Sequence, residues 1–174
     1  MKITTREKIL NFLLDNSEEK FYLTQIAQHT NVPDSTVQHV LENQIGEYFL
    51  TKEKIGNLSF YQLKKDNPLV KQAKITRTLK EIAFLIDRLR EVSQKIILFG
   101  SCARGEDTRE SDVDLFVLAN EKRFAEEVIR QVKTGRKVRA IVKSYPEWVS
   151  MKEREKYLLS EINKGQVLWE QKHE

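Results

Sequence analysis

The sequence predicts an α+β protein of two domains joined by a long helix, and three observations carry that reading. The first third alternates short amphipathic helices with two β-rich runs; a helical stripe then extends from Asn67-Pro68 to about Val92; beyond it, strand-length apolar runs alternate with helices. A length of 174 residues suits one ordinary domain or two small ones. With 40% apolar and 32% charged residues there is enough material for a core, which excludes a disordered chain. The expected divisions are a domain over residues 1–66, a bridging helix over 67–94 and a second domain over 95–174.

In the first domain, Thr4 or Thr5 caps a helix that gathers Ile9, Leu10, Leu13 and Leu14 on one face and stops near Asn16. Phe21-Tyr22-Leu23 is a short β-like run, and Thr24 is the expected cap of "QIAQHT". Pro33 and Asp34 open the next helix, "STVQHVLENQI". Its apolar stripe is Val37, Val40, Leu41 and Ile45, which leaves Ser35, Thr36, Gln38 and His39 outward. Two strands, "EYFLTKEKI" and "LSFYQL", meet at Gly56-Asn57, a pair suited to a hairpin turn.

This order of elements, over about residues 4–65, resembles the winged helix-turn-helix module. The resemblance implies a surface for double-stranded DNA made by Ser35, Thr36, Gln38 and His39 on the helix and by Lys52 and Lys54 on the wing. Gln38, Asn43 and Gln44 have the side chains to meet base edges. Charge argues the other way. The helix Ser35–Ile45 carries no Lys or Arg, and residues 1–66 hold eight basic against nine acidic side chains, whereas phosphate neutralisation supplies much of DNA affinity. A winged helix used to dimerise or to dock a protein is the alternative.

Asn67 caps and Pro68 starts the bridging helix. Leu79, Ile82, Ala83, Ile86 and Leu89 form its expected buried stripe, and Lys71, Lys74, Arg77, Lys80, Arg88 and Arg90 its solvated face. Then follow strands Ile96–Phe99 and Val113–Leu118, a helix Glu121–Lys133 with Phe124, Val128, Ile129 and Val132 inward, and a strand Val138–Val142. A helix from Pro146 to Asn163, ended by Gly165, and the strand "QVLWE" complete the chain.

The chemistry concentrates in "ILFGSCARGEDTRESDVDLFVL". Side chains two apart on a strand share a face, so Asp112 and Asp114 point one way while Val113, Leu115 and Val117 pack the other way. Two adjacent carboxylates repel, and a hard divalent cation such as Mg²⁺ relieves the repulsion. Magnesium prefers a few carboxylates, waters and substrate phosphates, so the pair points to a nucleoside triphosphate. Gly100 lets the backbone turn sharply and approach a ligand, Ser101 offers an N–H and a hydroxyl, and Arg104 supplies a planar cation for phosphates.

Gly100-Ser101, ten residues, then Asp112-x-Asp114 is similar to the signature of the DNA polymerase β nucleotidyltransferase superfamily, closest to its minimal nucleotidyltransferases. The resemblance covers about residues 80–170 and implies a small mixed sheet flanked by helices. It also implies that Gly100 and Ser101 hold phosphates and that Asp112 and Asp114 bind two Mg²⁺ ions and act as catalytic groups. The reaction would move a nucleoside monophosphate, AMP from ATP in first place or from another NTP, to an acceptor. Related minimal nucleotidyltransferases act as antitoxins that modify a partner protein, which makes a protein acceptor the expectation. The superfamily usually places a third carboxylate on a later strand. The matching strand here, "KVRAIVK", has none: Arg139 stands about where the acid is expected, and Glu147 is the nearest acid downstream. Without the third carboxylate one Mg²⁺ is expected rather than two. The rival reading is a DNA-binding transcriptional regulator whose degenerate transferase domain only senses nucleotide.

A single cysteine, Cys102, excludes an internal disulfide and a multi-cysteine zinc site, and it reads as a small packing residue. His29 and His39 read as solvated polar residues, and Trp148 and Trp169 as core. No apolar run is long enough to span a membrane, and the amphipathic N-terminus does not resemble a signal peptide, so the cytoplasm is the expected location.

Overall fold

The computed structural model describes residues 3–171, apart from the side chain of Gln44, which leaves that base-edge candidate outside the described groups. The chain divides into two compact units, Met1–Ala73 and Lys74–Glu174. The division falls inside one helix, Pro68–Arg90. No described helix is long and apolar enough to cross a membrane.

The first unit opens with α1 (Thr5–Asp15), fixed by a reciprocal cap: Thr4 Oγ1 accepts the Glu7 N–H at 3.2 Å, and the Thr4 N–H donates to Glu7 Oε2 at 3.0 Å. Strand β1 (Phe21–Tyr22) runs directly into α2 (Leu23–Thr30). Thr24 is not the cap. The Tyr22 N–H is taken by Gln25 Oε1 at 3.1 Å, and the Thr24 hydroxyl, already inside the helix, donates to Asp34 instead.

Helix α3 (Asp34–His39) is shorter than its apolar stripe suggests, because Val40–Ile45 continue as a π-turn. Val40, Leu41 and Ile45 are all buried within that turn. The next four residues form the helical turn α4 (Gly46–Phe49), so the extended run begins only at Leu50. Strands β2 (Leu50–Ile55) and β3 (Leu58–Leu63) make the expected hairpin around Gly56-Asn57, and β1 adds to the far side of β3.

The second unit is built on a four-stranded mixed sheet. Its strands are β4 (Lys95–Phe99), β5 (Val113–Leu118), β6 (Val138–Lys143) and β7 (Gln166–Glu170), in the order β6-β5-β4-β7. β4 is antiparallel to both neighbours, and β6 lies parallel to β5 at the edge. A parallel pair needs a crossover, which α7 (Lys122–Gln131) supplies. One face packs Val113, Leu115 and Val117 against Ile82, Leu85, Ile86 and Leu89 of α5 (Pro68–Arg90) and Ala125 of α7. The other packs Ile97, Phe99, Phe116 and Leu118 against Met151 of α8 (Tyr145–Arg154) and Ile162 of α9 (Lys156–Asn163).

The buried faces of two helices differ from those expected. On α5, Leu85 is buried and Ala83 exposed; on α7, Ala125 is buried and Phe124 is 59% exposed. In each case the helix phase turns a residue one or two positions along onto the sheet. The single helix expected over 146–163 breaks at Glu155, which lets α8 and α9 both lie on one sheet face. Gly165 follows α9 for a reason other than a left-handed backbone: a Cβ there would collide with the Leu98 carbonyl oxygen of β4.

The largest departure concerns the basic face of α5. Lys74 is 3% exposed and Arg77 is 15% exposed at its side chain, and both bind Asp107, a fully buried carboxylate in the loop before β5. Lys74 Nζ donates to the Asp107 carbonyl at 2.6 Å, and Arg77 Nη2 to Asp107 Oδ2 at 3.0 Å. Arg136, in the loop after α7, completes the cluster. Its Nη1 donates to Asp107 Oδ2 at 2.7 Å, its Nη2 to Thr78 Oγ1 at 2.7 Å and its Nε to Glu81 Oε2 at 2.9 Å. Its backbone N–H donates to Glu81 Oε1 at 2.6 Å. A carboxylate removed from water is tolerated only when paired in this way. Replacing Arg136 with Ala should therefore lower the stability of this unit by about 3–5 kcal/mol, read as a shifted urea midpoint at constant slope; a loss near zero would mean that the cluster holds nothing in place.

Candidate functional site

The site lies where β4 ends and β5 and β6 begin. Antiparallel pairing sets Phe99 opposite Asp114, and the parallel register sets Asp114 opposite Arg139. Three segments distant in sequence thus meet at one end of the sheet. Alternation along β5 does what the pattern predicts: Val113, Leu115 and Val117 enter one core, while Asp112 and Asp114 take the other face, with side chains 27% and 17% exposed.

Gly100 follows β4 with φ +72° and opens the short helix α6 (Gly100–Arg104). The absence of a side chain is needed twice over: positive φ strains any L-residue, and a Cβ would lie 2.6 Å from Asp114 Oδ2. The backbone of Gly100 and the carboxylate of Asp114 therefore share a confined space. Behind them Cys102 is fully buried and donates its thiol to the Asp112 carbonyl at 3.4 Å. Burial pushes that thiol above its usual range, which makes Cys102 a packing residue and an unreactive one.

Arg139 spans the two aspartates. Its Nε lies 2.9 Å from Asp114 Oδ1 and 3.4 Å from Asp112 Oδ2, and its Nη2 lies 2.9 Å from Asp114 Oδ1. The hydrogen bond to Asp114, and then the charges of both acids, hold the guanidinium above the usual arginine range. Among the described residues no group of three or more His, Cys, Asp or Glu is placed to hold a metal ion.

Glu147 is committed elsewhere. It accepts the Ser144 N–H at 2.7 Å as the cap of α8, past the C-terminal end of β6, and pairs with Lys122 at 2.8 Å. Arg139 stands at the opposite end of that strand, so Glu147 does not supply a third acid to the pair. Arg104 is turned toward acids of its own unit: Nε to Glu106 at 2.9 Å and Nη1 to Glu161 at 3.5 Å. Ser101 is half-buried one residue beyond Gly100, and its carbonyl accepts the Glu106 N–H. Sequence spacing therefore finds Gly100, Asp112 and Asp114 as neighbours. It notes Arg139 without its contact and misses Asp107 and Arg136, because no spacing rule marks a loop residue that becomes buried.

In the first unit Ser35, Gln38 and His39 are exposed and Thr36 is half-buried. His39 Nδ1 lies 3.3 Å from Asn43 Nδ2. Lys54 is exposed, but Lys52 is paired with Glu42 at 2.8 Å and lies over the Tyr61 ring. Neighbouring lysines are likewise matched, Lys20 to Glu53 and Lys65 to Glu18. His29 is exposed and stacked on Phe12, while Trp148, packed on Phe116, and Trp169, under Arg90, are half-buried.

The profile of the family described as polymerase beta, nucleotidyltransferase, matches residues 80–174. Among solved structures, a Sulfolobus solfataricus chain described as a presumed nucleotidyltransferase is 17% identical with a TM-score of 0.40, the match covering 59% of this chain and 88% of that one. Pseudomonas aeruginosa HmgR is 23% identical with a TM-score of 0.34, covering 55% of this chain and 40% of its own. No curated protein matches the chain in sequence.

Two substitutions test the local geometry. Gly100→Ala should cost about 1–2 kcal/mol from backbone strain and push Asp114 out of place; full retention of stability in a denaturant titration would contradict it. Glu147 is held down to about 2 by its hydrogen bonds to Lys122 and Ser144. A depressed carboxylate stabilises the fold above its unfolded value near 4.5 and loses that contribution as pH falls toward 2. Glu147→Gln should accordingly lower the thermal midpoint at neutral pH and flatten its fall across that window; parallel curves for the two proteins would refute the assignment.

Proposed function

The chain belongs to the polymerase beta nucleotidyltransferase family, and from that membership we propose that it moves a nucleoside monophosphate, AMP from ATP as first choice, onto an acceptor hydroxyl with the help of Mg²⁺. The observation that carries the reading is the Asp112–Asp114 pair on one strand face, with Asp114 directly against Gly100, whose missing Cβ leaves room beside Asp114 Oδ2. Hard carboxylate oxygens beside a cradle that a side chain would fill suit one Mg²⁺. They do not suit two, since Arg139 stands in register with Asp114 where a third acid would be needed.

In this reading Asp112 and Asp114 hold the ion, Gly100 and Ser101 present the backbone N–H and hydroxyl to the terminal phosphates, and Arg104 exchanges Glu106 and Glu161 for phosphate oxygens. Magnesium, when bound, would supply charge neutralisation for the triphosphate. The acceptor hydroxyl oxygen forms a bond to the α-phosphorus and gives up its proton to water, the bond from that phosphorus to the bridging oxygen breaks, and pyrophosphate leaves with the electron pair. The protein orients the two ends in line. A partner protein is the acceptor we favour, on the analogy of antitoxin-type relatives, and a cytoplasmic setting accords with the unpaired, buried Cys102.

The order of elements in the first unit supports a winged helix-turn-helix reading, with Ser35, Thr36, Gln38, His39, Lys52 and Lys54 as the DNA-facing candidates. Its charge supports it less: Lys52 is neutralised by Glu42. A DNA-binding regulator that only senses nucleotide is thus the second reading, favoured by the Arg139 contact alone.

The deciding experiment incubates the protein with Mg²⁺ and each α-labelled NTP, with and without cell extract, beside the Asp112→Asn/Asp114→Asn variant. Label should move to an acceptor only with both aspartates intact. Nucleotide binding without transfer to any acceptor would remove the enzyme reading. A gel-retardation series across salt separates the second reading, which predicts DNA affinity that falls as salt rises.

A further inference from the structure

We propose that the guanidinium of Arg139 is the resident counter-cation of the Asp112–Asp114 pair, and that a divalent metal ion enters this site only by displacing it. The inference rests on the placement of the metal proposed above, but not on transfer taking place.

Two carboxylates on one strand face, each more than two-thirds shielded from water, repel unless a cation stands between them. Here the cation is part of the chain. Nε reaches both acids, at 2.9 Å and 3.4 Å, so the positive charge sits between the oxygens that a shared metal would use. Asp112, Asp114 and Arg139 together carry a net charge of −1, which leaves the site attractive to a divalent ion but much less so than the bare pair.

The position of Arg139 makes the exchange feasible. β6 is an edge strand, and the Arg139 side chain is 62% exposed. Swinging the guanidinium into water therefore gives up two ion pairs and little packing. Alternate residues of β6 hold the strand in place without it: Val138, Ala140 and Val142 pack on one core and Ile141 on the other. Asp114 is also approached closely from its far side by Gly100, so that carboxylate keeps a contact when the guanidinium departs. A nucleotide's phosphates give the displaced guanidinium a new partner. Metal and triphosphate should then favour each other's binding by the same factor in both directions.

The test is Mn²⁺ binding without nucleotide, followed by the electron paramagnetic resonance of the free ion. Arg139→Gln should bind Mn²⁺ about tenfold or more tighter than wild type, Arg139→Asp tighter again, and Arg139→Lys should stay close to wild type. Adding Asp114→Asn to Arg139→Gln should abolish the gain. Mn²⁺ affinity indifferent to residue 139 overturns the proposal. A second measurement needs no variant: the Nε–H of Arg139 should exchange with water faster as Mg²⁺ is added, and an exchange rate unchanged at saturating Mg²⁺ also overturns it. Failure of label transfer with the affinity order intact would remove the transferase reading and leave the displacement standing. The opposite pattern would do the reverse.

Discussion

The end of the sheet that carries Asp112, Asp114 and Arg139 depends on a buried carboxylate outside that trio. Asp107 is fully shielded from water and is held by Arg77 and Arg136 at its side chain and by Lys74 at its carbonyl. Its loop joins α6 to β5 and lacks regular secondary structure between Gly105 and Asp112. Such a loop has no backbone ladder to define its path, so the ion cluster defines it. Arg136 also grips Glu81 and Thr78, which ties the entry of β6 to α5. The strands that carry Asp112, Asp114 and Arg139 are thereby anchored just before each of those residues.

Two electrostatic arrangements thus lie back to back, and they differ in kind. The Asp107 cluster is dry, multiply bonded and expensive to break, as expected where charge has been removed from water. The Arg139 bridge is wet at its cationic end, where exchange for water or another ion is cheap. Rigidity behind and exchangeability in front is what a site for a charged ligand requires. Cys102 sits between the two, 3.6 Å from Arg136 and bonded to the Asp112 carbonyl, and acts as packing between them.

Much of this was legible in the chain because its signals are local. Thr4 with Glu7 reads as a cap, Gly56-Asn57 as a hairpin, and the alternation of β5 separates its acids from its apolar residues. The strands of the second unit follow the same logic. What the sequence hid is non-local. Lys74 and Arg77 look like solvated helix residues until Asp107, some thirty positions away, is folded against them. The contact of Arg139 with the aspartates depends on a parallel register, which strand patterns alone leave open. The π-turn at Val40–Ile45 and the break at Glu155 arise from packing demands on helices whose periodicity looks continuous. The run "KVRAIVK" holds no acid, and the register places Arg139 opposite Asp114.

The span of the Asp107 cluster has a kinetic consequence. Its members come from residues 74–81, 107 and 136, so no part of it can form until the chain between them has been gathered in. Closing such loops costs entropy before any charge pairing compensates it, which delays contacts of this range in folding. The scaffold of helices and β4–β5 pairing is made of nearer neighbours and is free to form earlier. In a growing chain the cluster therefore stays incomplete until Arg136 has left the ribosome, while the pairing of β7 with β4, seventy-five positions apart at Lys95 and Glu170, has to wait longer still.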